Sequence, residues 1–122
     1  MATSRGVTVW YFYRVRWGHH GEFVDLFRKN HYPVLAEQVK SGRFLSVRCV
    51  EPKFHGDGRA DWNFATEIVF RDVASVFEST EPEIKKRLYP DQEAFRREEQ
   101  RRFELIEAHW DVPLKETDVG GT

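Results

Sequence analysis

The stretch VTVWYFYRVRW, residues 7–17, is dense in β-branched and aromatic side chains, and both of its alternating sets stay largely apolar until Arg14 and Arg16. Successive side chains of a strand point to opposite faces, so the pattern describes a strand covered on both sides. The glycine-flanked GHHG (18–21) supplies flexible backbone after it. Then EFVDLFRKNHYPVLAEQVK (22–40) repeats apolar positions at helical spacing until Ser41 and Gly42 stop it.

Downstream, RFLSVRCVEP (43–52) alternates as a second strand that Pro52 ends, and KFHGDGRA (53–60) is a loop. A third strand, DWNFATEIVF (61–70), sets Trp62, Phe64, Thr66, Ile68 and Phe70 against Asn63, Ala65, Glu67 and Val69, which predicts a hairpin with a long tip. Asp72 can cap VASVFES (73–79), and Thr80 with Glu83 has capping-box spacing for PEIKKRLY (82–89). In DQEAFRREEQRR (91–102), Glu93 and Arg97, and Glu98 and Arg102, lie four apart, which predicts a charged helix with a solvated outer face. FELIEAHWDVPL (103–114) closes the series as a strand, with Ile106, Ala108, Trp110 and Val112 opposing Leu105, Glu107, His109 and Asp111. The order β-α-β-β-α(α)-β predicts an α+β fold: a ferredoxin-like, four-stranded antiparallel sheet with helices on one face. One domain over residues 1–122, ordered from about 7 to 114, is expected.

A chain of 122 residues, 40% hydrophobic, 15% aromatic and 32% charged, can bury one core. Net charge is −1 with both signs interspersed, so no polybasic surface recruits nucleic acid or anionic lipid, and neither is expected as a partner. The single Cys49 can make no internal disulfide and no multi-cysteine zinc site. The start MATSRGVTVWYFY lacks a basic segment followed by a long aliphatic one, and a cytoplasmic protein is expected.

Two-sided burial of the first strand needs a second cover, because helices on one face leave Trp10, Phe12 and Phe44 wet in a monomer. The segment YRVRWGHHGEFVDLF (13–27) ends a strand in Val-x-x-Gly, turns, and opens an amphipathic helix with Glu22-Phe23. With the element order, it resembles the dimeric α+β barrel superfamily, which includes the antibiotic-biosynthesis monooxygenase-like proteins; Trp17 stands where such segments often carry proline. The resemblance implies a homodimer packed sheet to sheet, with a pocket between helices and sheet in each protomer. Activities among such proteins include cofactor-free oxygenation of aromatic polyketides, isomerisation, cyclisation and haem degradation. No catalytic signature of one subfamily transfers to particular residues here.

Projecting the first helix at about 100° per residue sets His31 roughly 80° from Phe23, inside the stripe formed by Phe27, Val34 and Gln38. Pro33 lacks the amide that would pair with the Lys29 carbonyl, so a kink is expected. His31 then has two readings: a core histidine bonded to the freed carbonyl, or a proton acceptor or iron ligand in a cavity. Tyr11, Tyr13, Trp62, Thr66 and Trp110 are the expected walls, either packed as core or suited to a planar aromatic ligand. The opposite set holds Arg14, Arg16, Ser46, Arg48, Asn63, Glu67, Glu107 and His109. There Arg14, Arg48 and Glu67 form an expected charge network, or Glu107 or His109 serves as base of an alternative site. GHHG reads as an exposed loop, HGDG (55–58) as a hairpin tip, and Cys49 as an inert buried thiol.

The expected function is that of a small-molecule-binding barrel protein acting on an aromatic or polyketide-like compound as a cofactor-independent monooxygenase, isomerase or cyclase. The alternatives are a haem-binding barrel, a non-catalytic dimeric module, or an RNA-recognition-like domain, to which NFATEIVF (63–70) is only loosely similar. Beyond that haem alternative no cofactor is expected.

Overall fold

The computed structural model describes residues 6–53 and 62–120; the expected hairpin tip at 55–58 lies outside the described residues. Four strands, β1 (Val7–Val15), β2 (Phe44–Val50), β3 (Phe64–Phe70) and β4 (Ile106–Pro113), form one antiparallel sheet in the order β2-β3-β1-β4. Helices α1 (His20–Leu26) and α2 (Tyr32–Lys40) are joined by a π-helical turn, Phe27–His31, and α3 (Val73–Val76), α4 (Glu81–Leu88) and α5 (Gln92–Glu104) follow β3. This is the expected ferredoxin-like α+β architecture. None of the described helices is long and apolar enough to cross a membrane.

The two-sided β1 holds the centre of the sheet, between β3 and β4. Its Val9, Tyr13 and Val15 turn toward the helices and are buried against Phe23, Phe27, Leu35, Phe64, Ile68 and Leu105. Phe23, fully buried, meets the rings of Tyr13 at 5.5 Å and Phe64 at 5.3 Å and ties α1 to the sheet. Gly6 enters β1 at φ +82°, and a Cβ there would stand 2.2 Å from the Phe70 carbonyl oxygen, so only glycine fits.

Local chemistry sets several boundaries away from the expected ones. Asn63 lies just before β3: its amide donates to the Tyr13 carbonyl at 3.0 Å, its Oδ1 accepts from the Val15 amide at 2.8 Å and its Nδ2 donates to the Val15 carbonyl at 2.9 Å, closing the end of β1 as a strand would. Asp72 caps α3 as expected, accepting from the Ser75 amide at 2.8 Å, and Asp91 caps α5 through the Ala94 amide at 3.0 Å. Thr80 makes no side-chain cap; its hydroxyl donates to Gln38 Oε1 at 3.2 Å, because buried Gln38 also receives Arg43 and draws the hydroxyl inward. Helix α5 runs on to Glu104, so Phe103 and Glu104, expected in a strand, are helical.

The largest correction concerns β4. Arg14 pairs with Ala108 but Val15 pairs with Ile106, which leaves Glu107 as an unmatched residue at a bulge. An extra residue reverses the phase of everything after it. Trp110 therefore lies opposite Phe12 on the face away from the helices, and His109 opposite Tyr13 on the helix side, the reverse of the expected assignment. Trp62, before β3 begins, also joins that open face, its ring 5.2 Å from Phe12.

Candidate functional site

Pro33 decides the local backbone around His31. Instead of a simple kink, the helix widens, and the Tyr32 amide reaches back to the Phe27 carbonyl, the i−5 pairing of a π turn. The Lys29 carbonyl, which Pro33 cannot serve, accepts from the Tyr89 hydroxyl at 2.7 Å. His31 is thus not the partner of the freed carbonyl. Its ring sits edge-on to Phe27 at 4.9 Å, and neither ring nitrogen hydrogen-bonds within the described residues. Desolvation in the cavity wall pushes its pKa down to about 3, and the charges of Arg102, Lys85 and His109 push the same way, so the imidazole is neutral at pH 7.

His31 overlooks a cavity of about 470 Å³ between the helices and the sheet. Its floor is Tyr11, Tyr13, Thr66 and Ile68 with His109; Leu35 lies beside His31, and α4 and α5 bring Glu81, Lys85, Glu99 and Arg102 to its polar end. His109 lies flat on Tyr13, ring centroids 4.3 Å apart, and its Nδ1 faces the Phe12 carbonyl at 2.9 Å, which places the proton on Nδ1. Burial raises the Tyr11 and Tyr13 pKa values to about 12, so both phenols remain protonated. Apolar walls, seven rings and a few convergent polar groups make a site suited to a small planar molecule.

Of the expected walls, Tyr11, Tyr13 and Thr66 line this cavity together with His31, and the bulge adds His109, the expected alternative base. Trp62 and Trp110 do not line it, because both rings pack on Phe12 across the sheet. Glu107 is exposed at the bulge and likewise is not part of it. In the expected charge network, Arg48 Nε meets Glu67 Oε1 at 2.7 Å and Arg14 is exposed on the open face.

Arg102, expected on the solvated face of α5 through a pair with Glu98, is buried at the cavity. Glu98 instead binds Lys29 at 2.7 Å and Asn30 at 3.2 Å, while Arg102 is 3% exposed. Its seven-residue spacing from buried Phe95 is the signal that could have found it, since that spacing returns to nearly the same helix face.

A second depression of about 620 Å³ lies between α1, α2 and edge strand β2, where Cys49 is exposed rather than buried as expected. Its charged groups are already engaged: Arg28 with Asp25, Arg48 with Glu67 and Glu51 with His20. His20 is therefore paired at the start of α1, not free in a loop. Among the described residues no cluster of three or more His, Cys, Asp or Glu is placed to hold a metal ion. His31 also lacks, among them, the carbonyl or carboxylate that orients a metal-ligating imidazole, so these residues fit haem iron poorly.

No protein-family profile matches the chain, and no curated protein sequence does. Solved structures do match over nearly the whole length. A NIPSNAP family protein from Agrobacterium tumefaciens shares 16% identity with a TM-score of 0.56, covering 98% of this chain and 95% of its own. SnoaB, a cofactor-independent oxygenase from Streptomyces nogalater, shares 13% identity at a TM-score of 0.52, with 93% and 94% covered. A dimeric protein of unknown function and ferredoxin-like fold from Bacteroides fragilis shares 14% at 0.54, with 89% and 94% covered.

Proposed function

We propose that this chain, a ferredoxin-like protomer of the dimeric α+β barrel superfamily, is a small-molecule-binding homodimer that takes a planar aromatic or polyketide-like compound in the cavity beside His31. The neutral imidazole, without a hydrogen-bond partner among the described residues and lining the same cavity as the Tyr13–His109 stack, is the observation that carries this reading. Oxygenation by dioxygen without a cofactor, isomerisation and cyclisation can all begin with removal of a proton from a phenol or an enolisable carbon. His31 is the acceptor we assign to that step. By itself it is a weak base, because its cation would be desolvated and set near Arg102 and Lys85. An anion forming at the same moment offsets both costs, so proton transfer and charge formation on the substrate are coupled. SnoaB supports the oxygenase branch by fold alone.

The test is oxygen uptake and product formation with a hydroxyanthrone in air. Turnover by the wild type and a drop of about 10²–10⁴ in His31→Leu, with an unchanged circular dichroism spectrum, is expected. Equal turnover in the variant would remove His31 from the chemistry. No turnover at all, with binding retained, would make the chain a non-catalytic binding module.

Dimerisation is supported by the open sheet face, where Phe12 gathers Trp10, Trp62 and Trp110 at 6.0, 5.2 and 5.7 Å and no helix among the described residues covers them. Two sheets packed face to face would bury these rings and give the two-sided β1 its second cover. Phe12→Glu sets a carboxylate at the centre of that patch and should weaken the dimer by about 30-fold or more. Sedimentation of wild type and variant at micromolar concentration decides it, and a monomeric wild type would rule out the sheet-to-sheet assembly.

A further inference from the structure

We propose that the ligand is an acid: a planar aromatic molecule whose carboxylate is held by Arg102 at the polar end of the cavity while its ring lies against the Tyr13–His109 stack. The proposal rests on the cavity reading above and narrows its substrate class.

The cations around the cavity are not equally satisfied. All three nitrogens of the Arg43 guanidinium are spent: Nε on the Ser75 carbonyl at 2.8 Å, Nη2 on the Val76 carbonyl at 3.2 Å and Nη1 on Gln38, with Glu81 4.0 Å away. Lys85 holds Glu99 at 3.3 Å. Arg102 stands apart. Its side chain is 4% exposed, its guanidinium lies over the Phe103 ring at 4.9 Å, its Nε has no hydrogen-bond partner among the described residues, and the Glu99 carboxylate that it shares with Lys85 is 3.9 Å away, beyond hydrogen-bond reach. Among the described residues of the lining, Arg43, Lys85 and Arg102 therefore face Glu81 and Glu99, one positive charge in excess.

A buried guanidinium with an open N–H is costly to the fold. Packing alone would be served better by a methionine or leucine at that position, which makes a waiting anion the physical reason for an arginine. A carboxylate suits it, since guanidinium and carboxylate pair through short charge-assisted hydrogen bonds. Thr66 and the protonated Tyr11 and Tyr13 provide hydroxyls for further substituents on the ring, and the flat His109 surface takes its face.

The experiment is calorimetric titration of the full-length protein with naphthoate and with its uncharged counterpart naphthamide, on wild type, Arg102→Met and Arg102→Lys. We expect wild type to prefer naphthoate by about tenfold or more, the preference to vanish in Arg102→Met, and Arg102→Lys to keep part of it. The melting temperature of Arg102→Met should stay level or rise, which separates a ligand-holding arginine from one that only supports the fold. Equal binding of both compounds by wild type would overturn the acid inference and leave the cavity reading standing. Binding of neither would overturn both.

Discussion

Replacement of Phe23 by alanine should lower the unfolding free energy by about 3–5 kcal/mol, the range for truncating a fully buried phenylalanine. Phe23 is 0% exposed and lies among Tyr13, Phe27 and Phe64 at 5.5, 6.0 and 5.3 Å, where no neighbour can move in without abandoning another ring. The cavity left behind separates α1 from β1 and β3, the contact that positions the π turn and His31. Phe77, 80% exposed, is the internal control, and Phe77→Ala should change stability by about 0.5 kcal/mol or less. Urea unfolding measures both. A loss under about 1 kcal/mol at Phe23 would contradict the packing of this cluster.

Acid should expose the second large effect. The His31 pKa is about 3 in the folded protein against 6.5 for a free imidazole, so between those values the unfolded chain binds a proton that the native state refuses. Stability is then fully present above about pH 6.5 and falls as pH drops toward 3, by up to about 1.4 kcal/mol per pH unit from this group alone. His31→Leu removes that dependence while Glu81, Glu99, Lys85, Arg102, His109 and the two tyrosines stay. The stability of wild type relative to the variant should decline by roughly 2–3 kcal/mol between about pH 7 and 4.5. A constant difference across that range would show that His31 is not desolvated.

The architecture was legible because β1 declares itself twice, by β-branched and aromatic density and by having no polar side until Arg14. That second property points to a cover beyond the helices, and the structure leaves Trp10 and Phe12 on a face that no described helix covers, whereas Phe44, expected there with them, is buried in the helix-side core, where the register of β2 shifts between Phe44 and Ser46. The inward stripe of the long helix was legible too, since Phe23, Phe27, Val34 and Gln38 repeat at helical spacing and all four are buried. Side-chain placement on β4 was not. It depends on the mismatch at Glu107, a property of pairing with β1 that no local pattern in β4 reveals. Arg102 was hidden for a different reason: a charged residue in a run of charged residues reads as solvated, and only its heptad relation to Phe95 speaks against that. The proline two residues past His31 marked a disturbance of the helix, but whether a helix bends or widens depends on what receives the idle carbonyl, here Tyr89 from a segment sixty residues away.

The widened turn at Phe27–His31 also bears on which length changes the chain can tolerate. A π turn stores one residue beyond what an α-helix needs for the same path, so excising one residue of the five would restore regular pairing and leave α2 in nearly the same phase relative to α1. A one-residue change in the regular turns of α1 or α2 would instead rotate Phe23 and Phe27 by about 100° away from the face they share with Val34, Leu35 and Gln38. The turn is therefore a place where this helix can absorb a single-residue change in length, at the expense of the backbone that sets His31 beside the cavity.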